Sequence, residues 1–255
     1  MIEQVKVQEF VLVLATKGQN PSILNSDFLR YSGIVPEEME LARDPIYTNQ
    51  LLQIAYTNGL VITAQPNRIV FSELLQDKTT EDIVSPAIAQ KLVEALPKLD
   101  YQAVGINPRG YIPMDKKMVS QFVPNYLLAP GPWQEFSSNP VKASINYSYK
   151  LEKARLNLSV SEASLQMPED RVTPVILFSG NIDHVLSEEL ENRKQVLKEY
   201  IQNWREDLDA YERLINTSFL APLGRALLED KVVNNSMVAS EIPDGTVKVC
   251  EPALV

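Results

Sequence analysis

The chain has 255 residues, 45% of them hydrophobic, and its 33 acidic against 24 basic side chains leave a formal net charge of -9. That length and apolar content bury a substantial core, as one large domain or two smaller ones, which excludes global disorder. The acidic balance repels phosphate backbones, and the densest basic group, Arg109, Lys116 and Lys117 around Asp115, is sparse, so nucleic acid is not an expected partner.

Met1 to Lys6 lacks the basic and apolar segments of a secretory signal, which predicts a cytoplasmic protein. No stretch approaches the roughly 20 apolar residues of a membrane span. Cys250 is the single cysteine, so no internal disulfide and no cysteine zinc cage is expected. Without export, the Asn-x-Ser/Thr triplets at Asn146, Asn157, Asn216 and Asn234 receive no glycan.

In chain order, alternating apolar residues from Val5 to Leu14, with a phase change at Gln8-Glu9, predict a first strand carrying a bulge or turn. Asn20-Pro21-Ser22 opens a short helix or loop that Gly33 stops, and 37–43 reads as a surface connection. Thr57-Asn58-Gly59 predicts a tight hairpin between strands at 53–56 and 60–63, and Ile69-Val70-Phe71 supplies the next strand. Ser85-Pro86 marks a helix start, with Ser85 as its cap. A strand over Tyr101–Ile106 is then expected to be turned back by Asn107-Pro108-Arg109-Gly110.

Residues 113–140, rich in Pro, Ser and Asn, read as a connection between halves, with Trp133 anchoring it to the core or facing a partner. Strict alternation over 143–151 and 156–160 predicts a second hairpin with one dry and one wet face. Val175 to Phe178 forms a buried strand leading through Gly180 and His184 into a long helix over 187–215. The expected organisation is a first half at 1–112, the connection at 113–140, a second half at 141–220 and a tail at 221–255 with one more strand over 246–249. Three strands and a helix occur twice, without a residue-level repeat. The fold class is α+β, with an antiparallel sheet built from two halves and covered by helices.

Leu197, Ile201, Trp204, Leu208 and Tyr211 recur at spacings of four and three, a narrow seam of coiled-coil type. It suits a helix lying on the sheet, or pairing with a second copy. His184, beside Asp183, is either a general base or a helix-start histidine with ordinary hydrogen bonds. No nucleophile motif accompanies it, and no catalytic residue is assigned. Arg109, Tyr111 and His184 are the candidate contacts for an anion or ligand, with Arg109 and Tyr111 otherwise belonging to a solvated turn. The adjacent Glu188, Glu189 and Glu191 point apart on a helix and suit its N-terminal dipole better than a metal. The nine glycines form no phosphate-binding pattern, and no cofactor is expected.

The hairpin and helix, the strand Tyr101-Gln102-Ala103-Val104-Gly105-Ile106-Asn107, then Val175-Ile176-Leu177-Phe178 and the long final helix together resemble the layout of a group of uncharacterised, sporadically distributed bacterial proteins of similar length. The resemblance implies a bacterial, cytoplasmic protein and transfers no functional residue. The function expected from these features is a non-enzymatic protein-interaction or assembly component, with a protein partner or self-association. Its alternatives are an enzyme with a dispersed site and a nucleic-acid-associated component of a mobile-element or defence system.

Overall fold

A computed structural model describes residues 3–75, 78–136, 138, 141–166, 172–187 and 192–224. They build the expected α+β architecture around one nine-stranded antiparallel sheet. In chain order the strands are β1 (Lys6–Lys17), β2 (Ile46–Tyr47), β3 (Leu52–Ala55), β4 (Leu60–Gln65), β5 (Arg68–Leu74), β6 (Asp100–Pro113), β7 (Ser144–Lys150), β8 (Arg155–Gln166) and β9 (Val172–Val185). Their spatial order is β2-β3-β4-β5-β1-β6-β9-β8-β7, so the two halves meet along β6 and β9 in a single sheet. The phase change in β1 is a register shift against β6 between Val7 and Glu9. Gly59 closes the β3–β4 hairpin at φ 86°, where a side chain would be strained.

Period-two alternation gives the sheet two unlike faces. One cross-strand row runs Ile54, Ile62, Phe71, Leu12, Ile106, Ile182, Leu156 and Tyr149, from β3 to β7. Seven of these eight side chains are at most 1% exposed, only Tyr149 staying half-buried, and each such burial contributes about 1.5–3 kcal/mol. Among the described residues five α-helices accompany the sheet: α1 (Ser26–Tyr31), α2 (Ser85–Ala95), α3 (Lys116–Gln121), α4 (Arg193–Gln202) and α5 (Trp204–Leu214). The alternate residues of the central strands stay half-buried, so the described residues leave that second face open.

Gly110 is expected in a turn and Gly180 in the link to the long helix, yet both lie inside strands, because β6 and β9 run straight through them. Their lack of a side chain serves close approach. A Cβ on Gly180 would sit 2.8 Å from the Tyr211 ring, and one on Gly110 would sit 2.8 Å from the Lys6 carbonyl oxygen. Tyr211 therefore lies flat on the strands and donates its hydroxyl to the Phe178 carbonyl at 2.9 Å. Pro108 lacks an N–H, and the β6–β9 ladder skips it, with partners up to Ile106–Ile182 and again from Arg109–Ser179 in one register.

The long C-terminal helix is present as α4 and α5, interrupted at Asn203 and extended by a wide helical turn over Ile215–Leu220. Its helical backbone begins at Arg193, beyond Ser187, which is not helical. Leu190, Glu188, Glu189 and Glu191 lie outside the described residues, as does the strand expected at 246–249. The start of α2 is also capped differently from expectation. The fully buried Glu73 carboxylate accepts the Val84 N–H at 3.0 Å and the Ser85 N–H at 2.6 Å, while the Ser85 hydroxyl takes no part. A carboxylate there satisfies donors that a helix start leaves open. Within the 113–140 connection, Phe122 and Val123 supply the buried anchor, whereas Trp133 is 39% exposed on the surface.

Candidate functional site

The expected interaction seam is spent inside the chain. Leu197, Ile201, Trp204, Leu208 and Tyr211 are at most 7% exposed, with Trp204 edge-on to Phe10 at 5.1 Å between centroids. Of the two readings of that spacing, a helix lying on the sheet is the one the fold realises, and these side chains are not available to a second copy. The reason is geometric: a nine-stranded sheet offers a wide apolar face that accepts the same stripe a coiled-coil partner would take.

His184 is likewise part of the covered face. It stands near the end of β9, paired with Val104, and not in a turn before the helix, and its Nε2 lies 2.8 Å from Asp207 Oδ2 on α5. Its ring stacks on Tyr200 with centroids 4.5 Å apart, and its Nδ1 is buried without a hydrogen bond. Asp183, its sequence neighbour, points to the opposite face, so the pair does not act together. The contact with Asp207 fastens α5 to β9. His184 does not line the cavity of about 680 Å³ between Lys116, Ser120, Lys142 and Glu162, nor that of about 570 Å³ between Gln19, Ile23 and Leu96.

Arg109 and Tyr111 fall on the open face, two residues apart on β6. The Arg109 guanidinium donates to Glu9 Oε2 at 2.8 Å, and the Ser72 hydroxyl donates to Glu9 Oε1 at 3.2 Å. The cation is therefore paired across β1 and β6, and it stands inside a strand and not in the expected turn. Such a half-exposed pair is worth about 0–1 kcal/mol.

Beside it runs a line of side-chain amides that sequence reading does not single out. The Asn181 amide donates to Asn107 Oδ1 at 2.7 Å and to Asp183 Oδ1 at 3.2 Å, and Asn157 donates to Asn181 Oδ1 at 3.2 Å. Three strands, β6, β9 and β8, each contribute one asparagine. Gly105 leaves room for Asp183, whose Oδ1 would stand 3.3 Å from a Cβ there. The only sequence trace is local: Asn107 and Arg109, then Ser179, Asn181 and Asp183, alternate with apolar residues and so share a face.

The open face thus has two zones. On β4, β5 and β1 it carries Val61, Val70, Val11 and Val13; on β6, β9 and β8 it carries the amides, and the Glu9–Arg109 pair joins β1 to β6. Asparagine side chains offer donors and acceptors without charge, suited to hydrogen-bonding recognition and not to moving protons. Among the described residues no group of three His, Cys, Asp or Glu side chains is placed to hold a metal ion, and no helix is long and apolar enough to cross a membrane. Compared with protein-family models and with curated proteins, the chain matches none.

Proposed function

We propose that the chain is a non-enzymatic protein-interaction component that receives another protein on the open face of its sheet, in a bacterial cytoplasm as the resemblance implies. The observation that carries this reading is the line Asn107–Asn181–Asn157, hydrogen-bonded across three strands on a face that the described helices leave uncovered. Interfaces combine an apolar patch with satisfied polar groups, and the valines beside the amides have that composition. Nucleic acid is disfavoured because the chain is acidic overall, at a formal net charge of -9, and Arg109 on this face is already paired with Glu9. The buried His184–Asp207 contact lends the enzyme alternative no accessible reacting group.

The test is co-elution of partners from cell extract with tagged wild type, with Val13→Glu plus Asn181→Arg on the open face, and with Glu206→Ala on the exposed side of α5. Loss of a co-eluting protein in the open-face variant alone, with the melting profile of the wild type retained, is the expected result. A partner held equally by all three chains would overturn the reading.

A further inference from the structure

The sheet's two edges differ. At one end β2 is two residues long and follows Pro45, a blunt edge that discourages pairing. At the other end β7 presents seven residues, Ser-Ile-Asn-Tyr-Ser-Tyr-Lys, without proline, bulge or charge before Lys150, and no described strand pairs with its outer side. Its hydrogen-bonding parity follows from the hairpin. The Leu151 N–H donates to the Ala154 carbonyl at 2.9 Å, so by the alternation of antiparallel ladders Tyr149, Tyr147 and Ile145 exchange bonds with β8. Ser144, Asn146, Ser148 and Lys150 then turn their N–H and C=O groups outward.

We infer that this edge pairs with β7 of a second copy, antiparallel about Tyr147, joining two nine-stranded sheets into one. The segment around β7 is self-complementary in that register. Tyr147 faces its own copy, Ile145 faces Tyr149, Asn146 faces Ser148 and Ser144 faces Lys150, so apolar meets apolar on the covered side and polar meets polar on the other. Beyond the strand, Ala143 meets Leu151 and Lys142 meets Glu152, twice by symmetry, giving opposite charges at both ends. Lys142 lies close to Glu162 of its own chain yet remains 83% exposed, so its ammonium is within reach of a neighbour.

Competing registers lose this match. A two-residue slip about Asn146 sets Lys142 against Lys150, and one about Ser148 leaves Lys142 facing Ala154. A one-residue slip puts every tyrosine opposite a polar residue of the wrong face. A peptide from another protein would satisfy the outward groups but would not account for the two-fold pattern.

The experiment is sedimentation equilibrium of the purified full chain across a wide concentration range. Reversible dimerisation, to twice the 28.7 kDa of one chain, is expected. Ser144→Lys, placing like charges opposite Lys150 at both ends, should weaken the dimer about fivefold, and Ser144→Glu should tighten it by about the same factor. Asn146→Pro removes an outward N–H and should abolish pairing; should that variant misfold, the two Ser144 variants, exposed and outside the core, decide the matter. A chain monomeric throughout, or a dimer indifferent to both Ser144 charges, overturns the inference. Protection of the β7 amides by an added foreign strand, with the chain itself monomeric, overturns it in favour of a peptide. Val13→Glu plus Asn181→Arg should leave the dimer unchanged, which keeps failure here separate from failure of the open-face reading.

Discussion

Two neighbouring rows of the sheet use the same eight strands and have opposite fates. Ile54, Ile62, Phe71, Leu12, Ile106, Ile182, Leu156 and Tyr149 form the covered row. One residue along each strand, Gln53, Thr63, Val70, Val13, Gly105, Asp183, Arg155 and Lys150 form the open one. Both rows belong to the same antiparallel ladders, so the difference in burial follows from the face on which their side chains stand. What holds the fold together is concentrated on one face, and the other is free to vary without unfolding the chain.

The sharpest separation of the faces comes from truncation. Leu12→Ala in the covered row should cost about 2–5 kcal/mol in urea unfolding, whereas Val13→Ala, next to it on the open face, should cost under about 1 kcal/mol. Equal losses at the two positions would mean that the second face is also packed. The glycines give a smaller contrast. Gly180→Ala drives a Cβ to 2.8 Å from the Tyr211 ring and should destabilise by about 1–3 kcal/mol. Gly105→Ala, whose Cβ would meet Asp183 at 3.3 Å, should stay within about 1 kcal/mol of wild type, since alanine also loses less backbone freedom than glycine.

Alkaline titration reports on the buried tyrosines. Burial pushes the Tyr56 phenol up to about 12, against the lowering charge of Arg30, and burial raises Tyr101 and Tyr211 as well. In the unfolded chain these groups lose protons near pH 10 while the folded chain keeps them, so stability falls as pH rises past that point. Melting temperature should decline above about pH 10, and Tyr211→Phe should decline less steeply. A modest effect on stability is expected from Asn181→Ala. Removing the central amide should cost about 0.5–1.5 kcal/mol of stability while abolishing partner binding, which a calorimetric melt alongside co-elution would separate.

Most of the sheet was legible in the sequence because alternation survives wherever one face is buried, as in Val5–Leu14 and 143–160. The Thr57-Asn58-Gly59 hairpin was legible because positive φ leaves a residue signature. Glycine and proline misled where their role was tertiary. Gly110, Gly180 and Pro108 resemble turn residues until Tyr211 and the ladder gap at β9 supply the other reasons for them. The capping of α2 by Glu73 spans 11 residues between Glu73 and Val84, beyond any local cap pattern. The asparagine line was illegible for a related reason: its members come from three strands, and only the sheet order brings residues 107, 157 and 181 together.

The most direct test of the open face is hydroxyl-radical footprinting of the chain in cell extract and after purification. Leu74, Tyr111 and Leu177 lie on the open face, and Tyr31 and Trp133 lie elsewhere on the surface. The account predicts that the extract protects the first three while Tyr31 and Trp133 react equally in both samples. Equal reactivity of Leu74, Tyr111 and Leu177 in the two samples, or protection confined to Tyr31 and Trp133, would contradict it.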